Sequence, residues 1–162
     1  MKRFTLVFLF IGMAWTNITL KAQPEGLSLG VRLTNWWGLT AKYNFSEVGA
    51  IEGIVNTRWG GYIIHGLYEH HFPAFKIQGM RWYVGGGAHI GFWSDRYNNG
   101  NYWFADSRSG GVGIGLDLIG GLEYTIPDLP LNISLDIKPG FNFVPSALPF
   151  YDDGAISVRY VF

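Results

Sequence analysis

Apolar and polar residues take turns, one for one, along most of this chain. Leu131, Ile133, Leu135 and Ile137 alternate with Asn132, Ser134, Asp136 and Lys138. Near the start, Leu27, Leu29, Val31 and Leu33 alternate with Ser28, Gly30, Arg32 and Thr34. A period of two places successive side chains on opposite faces of a β-strand, and no stretch carries a helical period of 3.6. The pattern predicts eight strands, at about 26–35, 38–46, 50–59, 61–72, 80–93, 110–126, 131–143 and 154–162. Pro139 falls inside the seventh. Proline cannot donate to a ladder, so a bulge or bend is expected there.

Alternation alone does not say whether the apolar face meets a protein core or lipid. Three features favour lipid. The polar face is mostly Gly, Ser, Thr and Asn, with few charges: Arg32, Lys42, Glu52, Arg58, Glu69, Arg81, Asp117, Glu123, Asp136, Lys138 and Arg159. Charged residues make up only 15 % of the chain, against about a quarter in soluble domains. Six bases and five acids on one face suit a closed interior in which they pair. Large rings also sit at strand ends, including Trp36, Trp37, Phe45, Trp59, Tyr62, Phe72, Trp82, Trp93 and Phe162. Strands folded up and down gather them into two belts, where amphipathic rings meet headgroups. Lastly, "SEVG" and "PDLP" are short connections, whereas "SDRYNNGNYWFADSRSGG" and "PSALPFYDDG" on the other side are long. Strands cross lipid only as a closed barrel, because lipid offers no hydrogen bonds. The expected fold is all-β: an antiparallel, up-and-down, eight-stranded transmembrane β-barrel.

The first residues read differently. Lys2 and Arg3 precede an apolar run of about twelve residues, and a polar stretch then leads to Ala22. This is the order of a secretory signal, shorter than the roughly twenty residues of a membrane-spanning helix. Residues 1–22 are therefore expected to be a cleaved signal peptide, and 23–162 the barrel. A formal charge of zero gives no reason to expect a nucleic-acid partner. The absence of cysteine excludes disulfides, thiolate metal sites and an acylated Cys.

The chain ends "GAISVRYVF", alternating to its last residue. An export signal, eight alternating strands and this ending resemble the small outer-membrane β-barrels of diderm bacteria, of the OmpA and OmpX type. The resemblance implies an outer-membrane protein with both barrel termini in the periplasm and membrane lipids around it. It implies that Ile156, Val158, Tyr160 and Phe162 form the C-terminal signal read by the barrel-assembly machinery. The peptidoglycan-tethering role of larger members is not expected.

An eight-stranded barrel is about wide enough to be filled by its own side chains. The charges above are thus expected to form a satisfied polar interior rather than an ion path, in a monomer with a structural or surface-interaction role. A narrow, porin-like pore is the alternative, followed by a lipid-modifying enzyme and a soluble periplasmic barrel that binds an apolar ligand. No nucleophile, His and acid lie together in sequence, so no catalytic residue and no cofactor is assigned. "HGLYEHH" places His65, Glu69 and His71 on one strand face and His70 on the other. Along a strand such ligands stand about 6–7 Å apart per step, so an interior polar strand is preferred to a metal site, and His89 is read likewise. The glycine-rich stretches lack any phosphate-binding spacing. The loop from Ser94 to Gly110 is the best candidate to meet an extracellular ligand or surface partner. Arg96, Tyr97, Tyr102, Trp103, Phe104 and Arg108 supply the residue types that anchor binding sites.

Overall fold

A computed structural model describes residues 26–58, 61–93, 111–144, 148–151 and 154–162, and for Arg58, Trp93 and 148–151 the backbone alone. The segments are β1 (Gly26–Leu33), β2 (Trp37–Asn44), β3 (Gly49–Arg58), β4 (Gly61–Pro73), β5 (Met80–Trp93), β6 (Val112–Thr125), β7 (Leu131–Ile137), β8 (Pro139–Val144), β9 (Leu148–Tyr151) and β10 (Ala155–Val161). Each pairs antiparallel with its neighbours. β7 and β8 both lie along β6 and together make the seventh barrel strand. β9 and β10 make the eighth, and β10 lies against β1 to close the ring. The result is a closed, eight-stranded antiparallel barrel.

The seam explains the alternating C-terminus. Ser28 faces Val161 and Leu33 faces Ile156, so the last strand is paired along its length. Phe162 N–H donates to Leu27 O at 2.9 Å, and Val161 N–H donates to Pro130 O at 2.9 Å. Gly30 sits at this seam. A Cβ there would lie 2.0 Å from Val158 O and 2.6 Å from Arg159 Cα. Both are backbone atoms, so the seam itself would have to open. Gly30→Val is expected to cost at least about 1–3 kcal/mol, the usual range for overpacking. The check is the fraction of chain that reaches the compact, heat-sensitive form on an unboiled gel.

Two details differ from the sequence reading. First, Pro139 makes no bulge: Gly120 faces Ile137 and Asp117 faces Gly140, so the register continues across Lys138 and Pro139. The ladder is interrupted where proline has no N–H, but no residue is added. The shift comes later, opposite Ile114 and Gly115. Second, "PSALPFYDDG" is not a long loop. Leu148–Tyr151 pairs with β8 as a hairpin, and the eighth strand carries one residue more than its neighbour between Tyr151 and Ala155. The two prolines and two aspartates masked a strand whose Pro149 and Phe150 still face Phe141 and Gly140.

The strand faces divide as the alternation implies. Leu29, Val31, Leu39, Ile51, Ile64, Leu118, Leu135 and Ile156 project outward, exposed. Among the described side chains, no Asp, Glu, Lys or Arg of a strand does so. Exposed rings gather at the two ends. Trp36 sits in the β1–β2 turn and Trp37 starts β2, and Tyr62 meets Phe92 at 5.2 Å at that same end. At the other end Phe75 meets Trp82 at 5.6 Å, and Tyr160 meets Phe162 at 4.9 Å.

Candidate functional site: the barrel interior

Inward-facing charge begins with the strand pleat. Lys42 faces Glu52 across β2 and β3, and Arg81 faces Glu123 across β5 and β6. Barrel curvature then brings together side chains from strands that do not touch. Lys42 Nζ lies 2.6 Å from Glu69 Oε2 and 3.0 Å from Glu123 Oε2, and 4.4 Å over the Tyr83 ring. Arg81 Nη2 reaches Glu123 Oε1 at 2.6 Å, with His71 Nε2 3.3 Å from the same oxygen. Arg159 pairs with Glu52, which also accepts from the Thr40 hydroxyl. Its other N–H groups donate to Thr40 Oγ1 at 3.2 Å, Asn132 Oδ1 at 3.1 Å and Ser134 Oγ at 2.9 Å. Arg32 forms a two-pronged bond to Asp136, at 2.9 and 2.5 Å, and Tyr83 OH donates to Asp136 Oδ2 at 2.8 Å. Such forked, charge-assisted bonds are the geometry that makes a buried pair tolerable.

The sequence named eleven interior charges. Nine of them, Arg32, Lys42, Glu52, Glu69, Asp117, Glu123, Asp136, Lys138 and Arg159, are buried inside the barrel. Arg81 stands at the mouth with its side chain 19 % exposed. The Arg58 side chain is outside the described residues.

The interior is not polar throughout. Ile54, Leu67, Tyr83 and Ile119 pack together inside, none more than 4 % exposed. On β4, Leu67 lies between Glu69 and His65; on β6, Ile119 lies between Glu123 and Asp117. On β4 and β6 this apolar layer thus stands between a lower network, at the end with short turns, and a group above it, while Ser134, Asp136 and Lys138 follow one another inward with no apolar residue between them. That upper group is His65, His89, Asp117, Asn142 and Lys138. Single apolar residues in a run of polar ones carried no signal against the alternation, so the layer was missed.

The layer also decides the histidine question. His71 joins Glu69 and Glu123 below it, at 3.7 and 3.3 Å. His65 stands above it, across the strand pair from His89. The set His65, Glu69 and His71 therefore does not converge, and His70 lies on the outer face beside Phe72 at 4.8 Å. Instead His65 Nδ1 is 2.8 Å from Asp117 Oδ2, and His89 Nδ1 is 2.9 Å from Asp117 Oδ1. Only the cross-strand register could have disclosed this pairing.

A cavity of about 250 Å³ opens at the short-turn end, lined by Ser28, Lys42, Arg81, Thr125 and Asn132 among others. The lower network forms its floor. The loop candidates Arg96, Tyr97, Tyr102, Trp103, Phe104 and Arg108 lie outside the described residues, as does the proposed signal at 1–22.

The N-terminal β-barrel domain of Pseudomonas aeruginosa OprF superposes on 84 % of this chain and 95 % of its own, with a TM-score of 0.60 and 13 % identity. The two share a fold. Neisserial surface protein A superposes at 13 % identity over 84 % of this chain and 93 % of its own, with a TM-score of 0.45. No protein-family model matches the sequence, and neither does any curated protein. The resemblance to small outer-membrane barrels of the OmpA and OmpX type therefore stands at the level of the fold.

Proposed function

We propose that this protein is an integral outer-membrane barrel whose interior serves structure and whose external connection at 94–110 meets ligands or surface partners. The observation that carries the membrane reading is the division of faces. Apolar side chains project outward from every strand with described side chains, while the described charged side chains of those strands stay inside or at the mouth. On a soluble protein that outer surface would be an apolar patch far beyond the usual few hundred Å². The fold shared with the OprF barrel domain supports the same reading. Arrival by a signal peptide at 1–22, periplasmic termini, recognition of Ile156, Val158, Tyr160 and Phe162 by the assembly machinery, and a monomeric state belong to this proposal.

A narrow pore is the second reading, favoured by the open cavity below Lys42 and Arg81. The filled interior, in which Ile54, Leu67, Tyr83 and Ile119 pack together beside paired charges, argues against it, because a barrel of eight strands is about wide enough to be filled by its own side chains. The deciding experiment is conductance of the detergent-folded protein in a planar bilayer, after a gel shift between unheated and boiled samples has shown it folded. Silence is expected. Steady discrete channels, altered by replacing Asp136, would make the charged interior the functional site instead. Release of the protein from cells by osmotic shock without detergent would overturn the membrane assignment itself. Replacing residues 96–108 with a Gly/Ser linker is expected to abolish surface binding and leave the gel shift intact.

A further inference from the structure

The upper group brings three metal-ligating side chains to one focus. His65 on β4, His89 on β5 and Asp117 on β6 are each at most 3 % exposed, and their ligand atoms lie within 4.8 Å of one another. The imidazole Nδ1 atoms stand 2.8 and 2.9 Å from the two carboxylate oxygens. Donor atoms sharing one tetrahedral zinc ion at its usual bond lengths lie about 3.3 Å apart. Each imidazole thus stands within about half an ångström of that separation from the carboxylate, and the set closes on one ion by small side-chain rotations.

Further contacts fit a cation at this focus. His89 Nε2 lies 2.7 Å from Asn142 Oδ1. With that N–H donated to the amide oxygen, the Nδ1 of a neutral ring carries a lone pair, and it is aimed at a carboxylate. Two electron-rich atoms 2.9 Å apart need a positive species between them, which a proton or a metal ion supplies. Metal-bound histidines commonly donate their other N–H to an oxygen in this way. Lys138 brings its own positive charge, with Nζ 3.3 Å from His65 Nδ1 and 4.0 Å from Asp117 Oδ1. Space for the second ring is built in: a Cβ on Gly115 would meet His89 Cε1 at 2.5 Å.

We propose that His65, His89 and Asp117 form a binding site for a divalent transition metal, zinc by ligand type, for which the Lys138 ammonium competes. Imidazole and carboxylate donors suit zinc and its neighbours rather than calcium or magnesium. A metal entering this site would push Lys138 Nζ away, so the lysine tunes affinity downward and keeps the cluster electrically satisfied otherwise.

The test uses the folded full chain in detergent, without an affinity tag and stripped with EDTA. Cobalt(II) is the first probe, because protein ligands in near-tetrahedral geometry give it visible absorption bands. One equivalent is expected to bind and to be displaced by zinc. Asp117→Asn and His89→Gln are expected to weaken binding by at least about tenfold, as loss of one ligand does at sites where even supporting partners matter 10–100-fold. Lys138→Met is expected to tighten it, and His70→Asn, on the outer face, to leave it unchanged. Gel shift confirms that each variant folds. No stoichiometric cobalt or zinc binding by either the unaltered chain or Lys138→Met would overturn the proposal without reliance on any ligand variant. So would binding that survives Asp117→Asn or disappears in His70→Asn.

Discussion

Replacing Arg159 with methionine is expected to destabilise the folded barrel by about 3–5 kcal/mol, the usual cost of breaking a buried ion pair by removing one partner. Arg159 is fully buried and joins Glu52, Thr40, Asn132 and Ser134. Methionine fills much of the same space, so the loss is electrostatic rather than a cavity. Glu52 would be left inside with the Thr40 hydroxyl and with Lys42, whose ammonium is already held by Glu69 and Glu123. The second half of the experiment is Glu52→Gln in the same chain. The double variant is expected to recover most of the loss, because a neutral amide no longer needs the guanidinium. Urea unfolding of the barrel in lipid vesicles measures both. A single-variant loss under about 1 kcal/mol would mean that water reaches Glu52 and screens it, and the filled-interior reading would fall with it.

Leu118→Arg tests the opposite face and carries the next largest effect. Leu118 lies at the middle of β6 and is 66 % exposed. At the midplane of a bilayer an outward arginine costs about 2–4 kcal/mol, falling to about 0–1 near the interface. The same change at Phe75, in the β4–β5 turn and equally exposed at 66 %, is therefore expected to be mild. In water neither substitution has a reason to destabilise, since both sites are surface positions. A steep dependence on depth is the result a membrane barrel gives. Equal and small effects at both positions would place the outer face in water.

The fold was legible because the alternation is repeated eight times and each copy independently implies a two-faced strand. Boundaries were less so, where local chemistry misleads. Pro145, Pro149 and the Asp152–Asp153 pair advertise a loop, yet Leu148–Tyr151 pairs with β8. Here the neighbouring strand's hydrogen-bonding needs outweigh turn propensity. Pro139 advertises a bulge, yet the register runs through it and shifts beside Gly115. A missing N–H interrupts a ladder without requiring an added residue. The interior was half legible. Which residues point inward follows from the pleat, but which of them meet follows from curvature and stagger across strands. Arg159 and Glu52 are separated by 107 positions, and Arg32 and Asp136 by 104. His65 and His89 lay in different motifs, and neither motif alone suggested the pair. Ile54, Leu67 and Ile119 look like lapses in a polar pattern until the closed ring places them side by side.

That inner layer gives one side of the barrel, from β3 to β6, a partial septum. On that side Leu67 parts Glu69 from His65 along β4, and Ile119 parts Glu123 from Asp117 along β6. Each compartment can then be revised by substitution on its own terms. The lower one can stay fixed as the fastening of the strands while the upper one drifts toward new chemistry. A few ordinary aliphatic side chains thereby let two regions of one small barrel evolve at different rates.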